Sequence, residues 1–186
     1  MNPIYSHWLP TLVSAIGVFI VSSLVHTALR AWHRNDQSPL PGEPAVADAL
    51  RGTPVGDYRM PFAAHPGEMK SDAFQQKLKA GPVAIVTVVP GDIMASFQKS
   101  LIQWFIYSLL IGWLAGHMAL VMLPMGADGH DIFHAVGITS FMAYGFGHPQ
   151  SAMWGGKPWM PVIKSMVDGL VYASVTAGVF VWLWPS

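Results

Sequence analysis

Four apolar runs constrain this chain more than any other feature. Residues 8–29, 101–123, 132–148 and 161–184 each approach or exceed the ~20 mostly apolar residues that carry a helix across the hydrocarbon core. Lipid offers no hydrogen bonds, so a spanning segment must satisfy its own backbone, and a helix does so. The composition agrees. Charged residues make up 11% of the chain, against roughly a quarter in soluble proteins, and apolar residues make up 52%. A soluble fold of this size needs more charge to cover its surface. The reading is an all-α integral membrane protein: a four-transmembrane-helix bundle with a mostly irregular cytoplasmic loop.

The run 8–29 is longer than the apolar region of a secretory signal and lacks a basic stretch before it, so it reads as a retained helix. The third run is the shortest, and Gly137, Gly145 and Gly147 weaken it. Charge distribution keeps it. Arg30, Arg34 and Lys99 flank the loop 31–98, Lys157 and Lys164 flank 149–160, and no Lys or Arg occurs in 1–10, 124–131 or after Trp184. Positive residues favour the cytoplasmic side. Four passes therefore put both termini and 124–131 outside and loops 31–98 and 149–160 inside, whereas three passes would strand Lys157 on the wrong side. A bacterial inner membrane is the expected location. Tyr5, Trp8, Trp182 and Trp184 mark the outer interface, and Trp32, Trp154 and Trp159 the inner one.

The domain reading is residues 1–30 as transmembrane helix one, 31–98 as the cytoplasmic loop, and 99–186 as helices two to four. The loop carries eight of the fifteen prolines. Residues 35–56 show neither helical nor strand period and read as an extended tether. Residues 71–80 read as a short helix with Ser71 as N-cap, Asp72 in the first turn and Lys77 and Lys79 in the last. Residues 83–89 form an apolar, β-branched run between Pro82 and Pro90. It is too short to span a bilayer and reads as an extended segment with no visible partner strand.

Two stripes of small residues suit close helix packing: Gly112 and Gly116 in helix two, and Gly169, Ala173 and Ala177 in helix four. The ionisable residues fall in two groups. Near the outer side, His130 and His134 stand at i, i+4, with Asp128 and Asp131 beside them and His117 on helix two. Imidazole and carboxylate suit a transition metal, so His117, His130 and His134 are the candidate metal ligands. The stretch HDIFH lacks the Glu of a zinc-protease motif, and a wet helix start explains His130 and Asp131 equally well. On the inner side, Asp168 lies about 10 Å into helix four, at about 1.5 Å per residue, with Lys164 one turn below it. His26 and His148 close the ends of helices one and three. A carboxylate at that depth must be paired or protonated; Lys164 or His26 would serve. His117 with His134, and His26 with His148, would also be the two ligand pairs of a two-haem bundle.

Cysteine is absent, which excludes disulfides, thiolate metal sites and cysteine nucleophiles. The net charge of zero argues against nucleic acid as a partner. No phosphate-binding loop, dinucleotide fingerprint or serine-hydrolase elbow occurs. The expected partners are the bilayer and other membrane subunits. The expected function is non-enzymatic: an accessory, assembly or scaffolding subunit of a larger membrane complex. A metal- or haem-binding redox protein is the first alternative. A small proton or ion transporter centred on Asp168 is the second.

Overall fold

The computed structural model describes residues 7–124 and 126–184. It is mostly helical. In chain order the elements are α1 (Trp8–Thr27), α2 (Arg30–His33), α3 (Glu43–Leu50), β1 (Gly56–Met60), α4 (Pro66–Met69), α5 (Asp72–Ala80), β2 (Ala84–Val88), α6 (Ile93–Met122), α7 (Gly129–Tyr144), α8 (Pro149–Met153) and α9 (Trp159–Trp182). They fall into two compact units, Met1–Ser38 with Phe97–Ser186, and Pro39–Ser96.

Three helices, α1, α6 and α9, are long and apolar enough to cross a membrane. Their polarity is inverted relative to a soluble protein. On α1 the outward side carries Leu9, Leu12, Ile16, Ile20 and Leu24, all exposed, while the buried side carries Thr11, Ser14, Ala15, Val18 and Ser22. In water such a helix would leave its apolar face unburied at about 25 cal/mol per Å²; against lipid that face is at home.

The helix ends follow local capping chemistry. Asp92 Oδ1 accepts from the Ala95 N–H at 2.9 Å, so α6 starts at Ile93 rather than at 101, and Lys99 lies inside it. Asp128 Oδ1 accepts from the Asp131 N–H at 2.9 Å, which starts α7 at Gly129 instead of 132. At 16 residues α7 ends at Gly145 and stops short of His148. Helix α9 starts at Trp159, with Pro161 still inside the first turn, where its missing N–H costs nothing.

Helices α7 and α9 make the closest contact. A Cβ placed on Gly169 would lie 2.5 Å from the Gly145 Cα, and one on Gly137 would lie 3.5 Å from the Ala177 Cβ. Toward the end of the bundle where α7 begins, Ala115, Ala119, Ile132, Val136, Ala177 and Phe180 form an apolar core. Toward the opposite end a second cluster joins Val18, Ile111, Tyr144 and Tyr172.

The unit Pro39–Ser96 corrects two expectations. Residues 35–56 are not simply a tether, since α3 occupies Glu43–Leu50 after Gly42 turns the chain at φ 71°. The apolar segment does have a partner: β1 and β2 pair antiparallel, with Tyr58 opposite Val86. The partner escaped notice because GDYRM is only five residues long, and Tyr58 and Met60 alternating with Asp57 and Arg59 is too short a pattern to stand out. The loop is therefore not mostly irregular. In α5 the Ser71 Oγ accepts from the Phe74 N–H at 3.2 Å. Phe74 is nonetheless the one buried side chain between Pro39 and Ser96.

The α7–α9 contact gives a direct test. Gly169→Ala should destabilise the bundle by about 1–3 kcal/mol, the range for overpacking, because the obstacle is backbone. Gly178→Ala, with open space around its Cβ position, should not. Thermal unfolding of the detergent-solubilised variants reads the difference.

Candidate functional site

The site begins where α1 ends. Leu29 leaves helical geometry at ψ 40°, and the short α2 folds back against α9. This turn brings Trp32 and His33 onto Asp168, which is 7% exposed. The Trp32 indole N–H donates to Asp168 Oδ1 at 2.9 Å. His33 Nε2 lies 2.9 Å from Asp168 Oδ2, and His33 Nδ1 lies 2.6 Å from Asp36 Oδ2. The Lys164 ammonium donates to Asp36 Oδ1 at 2.6 Å and sits 5.6 Å from the centre of the Trp32 ring. The His26 ring stacks on His33, centres 4.8 Å apart and planes at 11°.

The chain of contacts is thus Asp168, His33, Asp36, Lys164. Each His33 nitrogen thus faces a carboxylate oxygen, and Asp36 also takes the Lys164 ammonium, so each of these buried or half-buried polar groups has a partner. Lys164 first, and His33 second, hold the Asp36 carboxyl below its ordinary value of 3.8.

Beside this network lies a cleft of about 570 Å³. All four long helices supply its walls from the same end of the bundle: Ser22, Ser23, His26 and Thr27 from α1, Trp104 and Tyr107 from α6, Tyr144 from α7 and Ser165, Asp168 and Tyr172 from α9, with His148 just beyond α7. Trp104 sits among three tyrosines, its ring centre 6.0, 5.9 and 5.7 Å from those of Tyr107, Tyr144 and Tyr172. The Tyr172 hydroxyl is buried without a hydrogen-bond partner.

The structure thus brings His26, His148 and Asp168 to one cleft, with Lys164 behind it. It does not join Asp168 to Lys164 or His26. Lys164 reaches Asp36 instead, and His148 Nε2 bonds the Tyr144 carbonyl at 3.1 Å. Trp32, His33 and Asp36 are the partners that sequence reasoning missed. Trp32 had been assigned to the membrane interface and the other two to the loop, although the i, i+3 spacing of His33 and Asp36 so near a helix end was a usable signal.

The outer histidines are arranged differently. The His117 ring neighbours are Trp113, stacked at 5.5 Å, and His7 at 6.4 Å. His130 and His134 have ring centres 4.4 Å apart on α7, and His134 lines a separate shallow groove with Phe133 and Gly137. The three-residue group whose ligand atoms come within 4.8 Å of one another is Asp128, His130 and Asp131, all exposed. Gly112 faces Ser14 and Thr11 of α1, Gly116 faces Phe180 and His7, and Ala173 and Ala177 are buried.

Comparison with family models, with curated proteins and with solved structures finds no match.

The depressed Asp36 carboxyl sets a pH dependence. A folded-state value below the unfolded one contributes stability above the unfolded value and loses it as pH falls through the folded value. Stability from Asp36 should therefore be complete above about pH 3.8 and be lost progressively as pH falls below that value through the lower folded-state one. Asp36→Asn should lower the unfolding temperature at neutral pH and flatten its fall in acid, as followed by circular dichroism.

Proposed function

We propose that this chain is a non-enzymatic four-pass membrane protein that binds a small ligand in the cleft beside Asp168, from the cytoplasmic side of a bacterial inner membrane. The observation that carries the reading is that four helices converge on one largely apolar, aromatic cleft whose wall includes a buried carboxylate held by Trp32 and His33. A volume of this size suits a small molecule. The apolar core at the other end of the bundle supports a site open to one side over a continuous path for ions. The converging ligand atoms among the described residues are those of Asp128, His130 and Asp131, not of His117, His130 and His134, which gives the metal or haem reading less support.

Native mass spectrometry of the protein extracted in mild detergent tests this. A bound small molecule should accompany the wild type and be lost from Ser23→Trp, which fills the cleft. An empty wild type, or a variant that keeps the ligand, would sink the proposal. The fourth pass and its orientation have their own test, since the chain contains no cysteine. Ala127→Cys should react with an impermeant maleimide from outside, and Ala152→Cys only after the cytoplasmic side is opened. Labelling of both from one side would reduce the passes to three.

A second reading, an accessory subunit of a larger complex, is favoured by the unit Pro39–Ser96. A segment with Phe74 as its one buried side chain, built on a two-stranded sheet, has little internal burial to hold it. Stoichiometric partners in the same preparation would support this reading; a stable lone chain of 20.2 kDa would count against it.

A further inference from the structure

We propose that the cleft selects a lipophilic cation: an amphiphile carrying a protonated amine or quaternary ammonium group, with its charge near Asp168 and among the aromatic rings. The inference rests on the binding reading above and specifies its ligand.

The argument starts from where the wall's hydrogens go. Ser22 and Ser23 both donate to the Phe19 carbonyl, at 3.0 and 2.8 Å. Thr27 donates to the Ser23 carbonyl at 2.6 Å, and Ser165 to that of Pro161 at 3.1 Å. Tyr107 donates to the Ala143 carbonyl at 3.2 Å, and the Trp104 indole N–H to Ser22 Oγ at 2.9 Å. The two imidazoles follow the same rule. His26 Nδ1 lies 2.9 Å from the Ser22 carbonyl, and His148 Nε2 faces the Tyr144 carbonyl. A carbonyl only accepts, so each of these nitrogens carries the hydrogen. In the neutral ring the other nitrogen, His26 Nε2 or His148 Nδ1, is then an acceptor.

Apart from the Tyr144 and Tyr172 hydroxyls, which have no protein partner, these donors are directed into the protein's own backbone and hydroxyls, which leaves lone pairs of Ser22, Ser23 and Ser165 and of the two imidazoles for the ligand. An anion entering would find acceptors and a carboxylate. A cation or an N–H donor would find matching partners. Two further observations agree. Trp104, Tyr107, Tyr144 and Tyr172 put a cluster of aromatic rings in the wall, and aromatic quadrupoles attract cations. The Tyr172 hydroxyl, on a side chain 5% exposed, has no protein partner, which is the mark of a site waiting for another polar atom.

Such a cation has two sources, a free hydrophobic amine or the headgroup of a zwitterionic lipid. The test uses the full chain in detergent and two probes of one shape and opposite charge, tetraphenylphosphonium and tetraphenylborate, by isothermal titration calorimetry. The expected result is saturable binding of the phosphonium, about tenfold or more tighter than the borate. Asp168→Asn should weaken the phosphonium by about tenfold or more and leave the borate unchanged. Should Asp168→Asn fail to fold, Thr27→Arg decides. Thr27 is exposed at the cleft, and the added charge should weaken the phosphonium and strengthen the borate. In nanodiscs, displacement of the phosphonium by phosphatidylethanolamine but not phosphatidylglycerol would assign the lipid source, and retention would assign the free amine; either supports the proposal. Equal affinities, a preference for the borate, or phosphonium binding untouched in the variants would overturn it. Borate preference that Ser23→Trp abolishes would leave the binding reading standing. Neither probe binding, with no ligand in the mass spectrum, would remove both.

Discussion

One imidazole shared between two carboxylates governs the end of this protein where α1 stops and α9 begins. Asp168 sits on an apolar helix where an isolated charge is costly, and nothing on α9 itself reaches it. The remedy comes from the next segment of another helix. Chain leaving α1 turns back, and His33 meets Asp168 on one side and Asp36 on the other. That requirement explains why α1 ends at Thr27, why α2 lies on α9, and why Lys164 faces Asp36. The same turn brings the Trp32 indole N–H to the Asp168 carboxylate and its ring to 5.6 Å from the Lys164 ammonium, so a single bend gives these groups their partners.

Sequence reasoning reached the helices more easily than the network. Long apolar runs speak for themselves, and α1, α6 and α9 coincide with three of them. Their ends shifted because Asp92 and Asp128 cap earlier than hydropathy alone suggests. The acidic residue Asp168 stood out because lipid penalises it. Its true partners did not, since His33 and Asp36 lie in polar sequence where a charge needs no explanation. Strand β1 was hidden for a related reason: its alternation of Tyr58 and Met60 with Asp57 and Arg59 covers only five residues, almost all exposed. The cleft itself was illegible, because hydroxyl and aromatic residues scattered over four helices signal nothing until packing gathers them.

The packing that gathers them is made by small residues. Gly169 and Gly145 let α9 and α7 approach backbone to backbone, and Gly112 and Gly116 admit Ser14 and Phe180. Beside the Gly145–Gly169 contact, the larger Trp104, Tyr144 and Tyr172 stand in the wall of the cleft. Close contact in one place and a cavity in another are thus two outcomes of the same residue sizes.

The single buried side chain of Pro39–Ser96 has a thermodynamic consequence. A segment that buries so little gains little from its own folding. A surface that bound only its folded form would add RT ln(1 + [L]/Kd), about 2.7 kcal/mol at a hundredfold excess over Kd, and so would count for more here than on a densely packed domain.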